Sequence, residues 1–184
     1  GGGTALSLLS VTGTSTIKAN ITTSGNQTYD DAVTLGADIT LSATDADIQF
    51  DLALDGNYNL TLIAGSGNIT FSDTVGATNP LGVINITSGA TVQFAESVTA
   101  TGAILVTSAN TVSFSGDVTI GGDIEIRSND IIFDSSLSNF QAGENNTIRF
   151  YTNGSQSMGI GGATATWTIS DDELAKITRA VTII

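Results

Sequence analysis

The sequence predicts an all-β chain wound into a three-sided parallel β-solenoid, a β-helix of about 20 residues per coil. Three observations predict it: an apolar-x-aromatic tripeptide returns at nearly constant spacing, an apolar-x-apolar tripeptide keeps the same beat, and clusters of Gly, Asn, Asp and Ser separate the two. Alternation with a period of two sends successive side chains to opposite faces of a strand. Recurrence of one unit at a fixed period marks a repeat architecture.

The first motif reads Ile48-Gln49-Phe50, Ile69-Thr70-Phe71, Val92-Gln93-Phe94, Val112-Ser113-Phe114 and Ile131-Ile132-Phe133, with Gln27-Thr28-Tyr29 as a degenerate first copy. Its aromatic positions lie 21, 21, 23, 20 and 19 residues apart. Four residues beyond each stands an aliphatic: Val33, Leu54, Val75, Val98, Val118 and Leu137. The second motif pairs Ile39/Leu41, Leu60/Leu62, Ile84/Ile86, Ile104/Val106, Ile124/Ile126 and Ile148/Phe150. Turn clusters such as Ala64-Gly65-Ser66-Gly67-Asn68, Ser88-Gly89-Ala90 and Ser128-Asn129-Asp130 follow most of these pairs. Each coil therefore reads as three short strands joined by corners. A β-sandwich also has short strands and frequent turns, but it does not return one side chain to one phase in successive units. The stack predicts an internal ladder of Phe50, Phe71, Phe94, Phe114 and Phe133, with Tyr29 at its N-terminal end. Two stretched periods, 75–81 with the single Pro and 137–147, should leave the stack as loops.

Composition narrows the function. Among 184 residues 40% are hydrophobic and only 12% charged, which excludes disorder. A formal net charge of −13 argues against nucleic acid and anionic membranes as partners and fits an extracellular surface. The segment has no Cys and no His, so it offers no disulfide framework, no thiol or imidazole catalysis and no usual zinc ligand. No apolar run has the length of a membrane span. Gly1-Gly2-Gly3 reads as a processed end, an expression scar or a cut inside a longer protein.

Few residues suggest chemistry. Glu125 and Arg149 occupy the same outward position in successive coils and should form a cross-strand ion pair. Asp31, Asp73 and Glu96 share the position two residues beyond the aromatic, with Asp117 and Asp134 near the same corner. Oxygen-only clusters suit Ca²⁺, so Asp31, Asp73, Glu96 and Asp117 are the calcium candidates. Leu52 and Gly116 interrupt their column, and a solvated acidic corner is the competing reading. No catalytic residue and no other cofactor is expected. Sugar-cleaving β-helices need convergent carboxylates, or Ca²⁺-binding Asp with an Arg base. Of the five basic residues, Lys18, Arg127, Arg149, Lys176 and Arg179, only Arg127 and Arg149 fall inside the coils, and Trp167 is the sole Trp. Ice binding needs regular Thr ranks, whereas the outward column Thr40, Thr61, Asn85, Leu105, Glu125, Arg149 is irregular. Sequons occur at Asn20, Asn26, Asn59, Asn68, Asn85, Asn145 and Asn153, a number that a chain rich in Asn and Thr reaches by chance.

The expected organisation is 1–26 as N-terminal lead-in strands or coil, 27–168 as solenoid coils, and 169–184 as a short helical turn leading into a following strand or unit. Ser170-Asp171-Asp172-Glu173 is a capping box with acids in the first turn; Leu174 and Ile177 share one face, and Lys176 and Arg179 lie toward the end. Val181-Thr182-Ile183-Ile184 then reads as a new strand. Unsealed strand edges at the ends of a solenoid would favour stacking on flanking repeats or on another copy.

The runs from Ser10 to Thr14 and from Ile21 to Asp38, and the segment from Ile169 to Ile177, resemble the repeats of giant filamentous-haemagglutinin-like bacterial surface proteins. The likeness covers most of the chain as a style of repeat and carries over no functional residue. It implies a right-handed β-helix, export across an outer membrane to the cell surface, and a rod-like part in adhesion, aggregation or biofilm. The expected partners are self-association along the solenoid axis, flanking repeats, or surface glycans of neighbouring cells. The alternatives are a carbohydrate-active or carbohydrate-binding β-helix and a Ca²⁺-dependent polymerising subunit.

Overall fold

The computed structural model describes residues 6–154, 156–160, 165, 167–178 and 181–183. Every strand pairing among them is parallel, and each strand pairs with its counterpart one coil away, except Met158–Ile160 and Trp167–Ile169, which lie nine residues apart and pair with each other as a separate two-stranded sheet. The chain is a β-solenoid with three ladders, named here for their inward residues.

The Phe face runs through Leu9–Val11, Gln27–Tyr29, Ile48–Phe50 and Ile69–Phe71, then through the ends of the long strands Ile84–Phe94, Ile104–Phe114 and Ile124–Phe133. The Val face carries Ser15–Ile17, Val33–Leu35, Leu54–Asp55, a bridge at Val75, Val98–Ala100, Val118–Ile120 and Phe140–Gln141. The Ile face carries Ile21–Thr23, Ile39–Ala43, Leu60–Ile63, the beginnings of the three long strands, Ile148–Thr152 and Val181–Ile183.

The apolar repeat fills the interior. Tyr29, Phe50, Phe71, Phe94 and Phe114 stack with centroids 4.9, 5.3, 4.7 and 5.0 Å apart and rings within 9° of parallel. Such rings are held both by burial and by offset π contact. Phe133 continues the column at 6.2 Å and 19°, because Phe140 enters edge-on, 5.1 Å from Phe114 and 5.0 Å from Phe133. At the N-terminal end the core turns polar. The Tyr29 hydroxyl donates to Gln27 Oε1 (3.1 Å), and Gln27 Nε2 donates to Thr23 Oγ1 (3.2 Å) and the Ser42 carbonyl (2.9 Å). Burial pushes the Tyr29 phenol above its usual range.

Three details differ from the expectation. Coils of three short strands extend only as far as Phe71; from Ile84 on, the Ile and Phe strands merge through the corner into single strands of 11, 11 and 10 residues. The small residues Gly89, Ala109 and Ser128 line the inside of this corner and let the backbone bend without a turn. Second, Phe140 rather than Leu137 stands opposite Val118 on the Val face; Leu137 is buried beside the wall, three residues early. The stretch 137–147 is thus not one loop, since Phe140–Gln141 pairs within it. Third, the excursion at 75–81 begins after Val75, which bridges Leu54 and Val98, and ends at Leu81 opposite Ala100. Gly76 opens it at φ 71°, where a Cβ would lie 2.1 Å from the Thr99 carbonyl oxygen. The C-terminal strand forms at Val181–Ile183 and takes the next rung of the Ile face, with Val181 in register with Ile148. The capping box before it forms as expected around Asp171–Leu174. Arg179 and the side chain of Trp167 lie outside the described residues.

Candidate functional surface

The corners explain much of the polar composition. At several corners where a ladder restarts after a turn, the first backbone N–H has no neighbouring strand to bond and lies at the exposed edge of the stack. Asp and Asn of the preceding coil supply the acceptor. Asp38 Oδ1 accepts from Asn59 N (2.9 Å), and Asn59 Oδ1 accepts from Val83 N (2.7 Å). Asn26, Asp47 and Asn68 do the same for Asp47, Asn68 and Thr91 (3.1, 2.7 and 3.2 Å). Asp45 takes the amide of Ser66, Asp55 those of Thr78 and Asn79, and Asp117 those of Ser138 and Asn139. In each case the acceptor lies in one coil and the amide in the coil that follows it in sequence.

The repeat spacing does not single out these latches, although the sequence carries a signal for them. Asn20, Asp38, Asn59 and Asp123 each precede the first apolar residue of an Ile-face motif, and Asn26, Asp47 and Asn68 each precede the first inward residue of a Phe-face motif. The same residues account for many sequons. The carboxamides of Asn20, Asn26, Asn59 and Asn68 accept amides of the next coil, and Asn153 Nδ2 donates to the Ala109 carbonyl (2.8 Å).

The calcium candidates are dispersed. Asp31 and Asp73 each accept from the amide of the next residue, at 2.7 and 2.6 Å, and Leu52 stands between them in the stack. Glu96 is exposed at the same corner, and Asp117 is engaged with the following coil. Asp134 folds back onto Ser136, whose amide and then hydroxyl hold its carboxyl below the usual range. Among the described residues no three carboxylates converge as metal ligands would.

The Ile face brings more side chains together than the spacing suggests. The column Thr40, Thr61, Asn85, Leu105, Glu125, Arg149 is in register as expected. Arg149 Nη1 donates to Glu125 Oε1 at 2.7 Å and lies 3.6 Å from Asp123 Oδ2. The amide of Thr147, foremost, and then its hydroxyl and Arg149 hold the Asp123 carboxyl below the usual range. An exposed pair of this kind contributes about 0–1 kcal/mol. Beside it, in the next outward column, the Arg127 guanidinium lies 4.7 Å over the Tyr151 ring and donates to the Thr152 carbonyl at 3.3 Å. Arg127 thus leans toward the following coil. That tilt leaves a shallow trough lined by Leu105, Val106, Thr107, Glu125, Arg127 and Tyr151.

The fold defines the chain as a parallel β-solenoid. No family model, no curated protein and no solved structure matches it.

Proposed function

We propose that this chain is a structural segment of a bacterial cell-surface or extracellular filamentous protein, acting through rigidity and length in adhesion, aggregation or biofilm and without catalysis. One observation carries the reading: the coils stack in unbroken register around a filled core, from Val11 through Tyr29, Phe50, Phe71, Phe94 and Phe114 to Phe133. Each added coil extends such a rod by about 4.8 Å, the spacing of neighbouring strands. The outer surface supports it too, because the polar corner residues direct their hydrogen bonds to the next coil instead of converging on a ligand. The resemblance in repeat style to filamentous-haemagglutinin-like surface proteins points the same way.

An antibody against the chain should label intact source cells or material shed from them. Labelling that requires permeabilised cells would overturn the surface assignment. Negative-stain microscopy with and without EDTA separates this reading from a calcium-built filament: particles unchanged by EDTA are expected, and fibres that dissolve in EDTA would contradict it.

A further inference from the structure

Two features of the surface remain without a role, and they are complementary. The corner between the Phe and Val faces carries a vertical run of Asp31, Leu52 and Asp73, one residue per successive coil. Leu52 is 43% exposed, and Asp30 and Asp51 stand beside this run in sequence. The knob is therefore an apolar side chain ringed by carboxylates. Asp31 and Asp73 each use one oxygen on their own backbone, and among the described residues no partner takes the other. On the Ile face, the trough has the half-buried Leu105 as an apolar floor. Arg127 stands at its wall, and among the described residues it has no carboxylate within 4.0 Å. Lys18 and Lys176 likewise have no carboxylate at that distance, but among the described residues Arg127 alone lies over an aromatic ring, which holds its guanidinium in place at the trough.

We infer that the trough receives the Leu52 corner of a second copy of this chain. Leu52 would cover Leu105, and the flanking carboxylates would meet the Arg127 guanidinium, whose planar fork suits a carboxylate. A single exposed leucine is ordinary; what matches is charge, an acid-ringed leucine against a trough walled by Arg127, where the one lining acid, Glu125, is already engaged by Arg149. The geometry also fixes the type of assembly. In a three-sided rod, the corner between the Phe and Val faces lies opposite the Ile face. Knob and trough are thus on opposite sides of one molecule, with Leu105 three coils and Arg127 four coils beyond the Leu52 coil, which is roughly 14–19 Å at about 4.8 Å per coil. The contact is heterologous and does not close on itself, so copies add side by side in a stagger. So small a contact gives weak association, of the transient kind. The inference deepens the filament reading by naming a lateral contact, and it can fail while a rigid monomeric rod remains.

The test is sedimentation equilibrium on the wild-type chain, Leu52→Lys and Arg127→Glu, with circular dichroism to establish that both variants fold. Both substitutions are at exposed positions. Wild type should rise in mass with concentration, and each variant alone should weaken association about tenfold or more. Mixing the two variants should restore dimers but nothing larger, because the mixture contains one intact knob and one intact trough. A wild-type chain that stays monomeric at the highest concentration overturns the inference. So does association that survives both substitutions, or variants that fail to complement each other.

Discussion

Before Ile84 the chain passes from the Ile face to the Phe face through discrete turns, as at 64–68, where Gly65 sits at φ 62° and Asp47 latches the amide of Asn68. Between Ile84 and Phe133 it makes the same passage inside one continuous strand per coil, as at 84–94, where Gly89 stands opposite Ala109. The first solution satisfies backbone amides with side chains of the previous coil. The second satisfies them mainly with the neighbouring backbone, although Thr91 N in the first merged strand still takes Asn68 Oδ1, and it needs small residues on the inside of the bend. One core therefore tolerates two kinds of corner, because the strands on either side keep the same register. Corner chemistry can vary from coil to coil while the inward columns cannot.

The largest effects should be indifferent to this division. Phe50→Ala in the latched region and Phe114→Ala in the merged region each delete a fully buried ring, and each should cost about 3–5 kcal/mol in chemical denaturation. A loss below about 1 kcal/mol at either position would break the continuity of the ladder. The corners should then separate the regions. Ala109→Leu overpacks the inside of the merged bend and should cost about 1–3 kcal/mol. Gly65→Ala attacks the latched kind instead. It forces a left-handed backbone onto an L-residue, with a Cβ 2.3 Å from Asp45 Oδ1, and should cost about 1–2 kcal/mol. Smaller still is Asp47→Ala, which removes the acceptor for Asn68 N and Nδ2 and should cost about 1 kcal/mol, while Asp47→Asn keeps an acceptor and should recover most of it.

Acid should act weakly and in one direction. The Asp123 and Asp134 carboxyls are held below their ordinary value in the folded chain, so the unfolded chain binds protons more readily. Their contribution is present above the ordinary carboxylate range and is lost as pH falls through the lowered folded values. Thermal melts from about pH 6 downward should show a midpoint that falls only on entering the acidic range; a rise there would contradict the assignment.

How far the sequence discloses this fold depends on what each residue answers to. Phe50, Phe71, Phe94 and Phe114 answer to burial alone, and their spacing is enough to place them. Glu125 and Arg149 answer to register, so the same spacing pairs them. Phe140 escapes because an insertion shifts phase: Leu137 keeps the expected interval, but the wall position goes to the residue able to wedge between Phe114 and Phe133. The merging of strands at Ser88, Gly89 and Ala90 escapes because small residues suit both a turn and a bend. Asp38, Asp47 and Asn59 look like plain polar corners, since an acceptor for the next coil is visible only when the next coil is in place. Arg127 and Tyr151 each stand one residue beyond an Ile-face motif, a position that runs Ser42, Ile63, Thr87, Thr107, Arg127, Tyr151 without a fixed chemistry, so their stacking is legible only in the fold.

The claim that coils are locked one to the next by two different devices is tested most directly by amide hydrogen exchange on the wild-type chain and on Asp47→Ala. The substitution should speed exchange at Asn68 and its immediate turn, while the amides of the merged corner at 108–111 keep their wild-type protection. Equal acceleration at both corners, or none at Asn68, would contradict it.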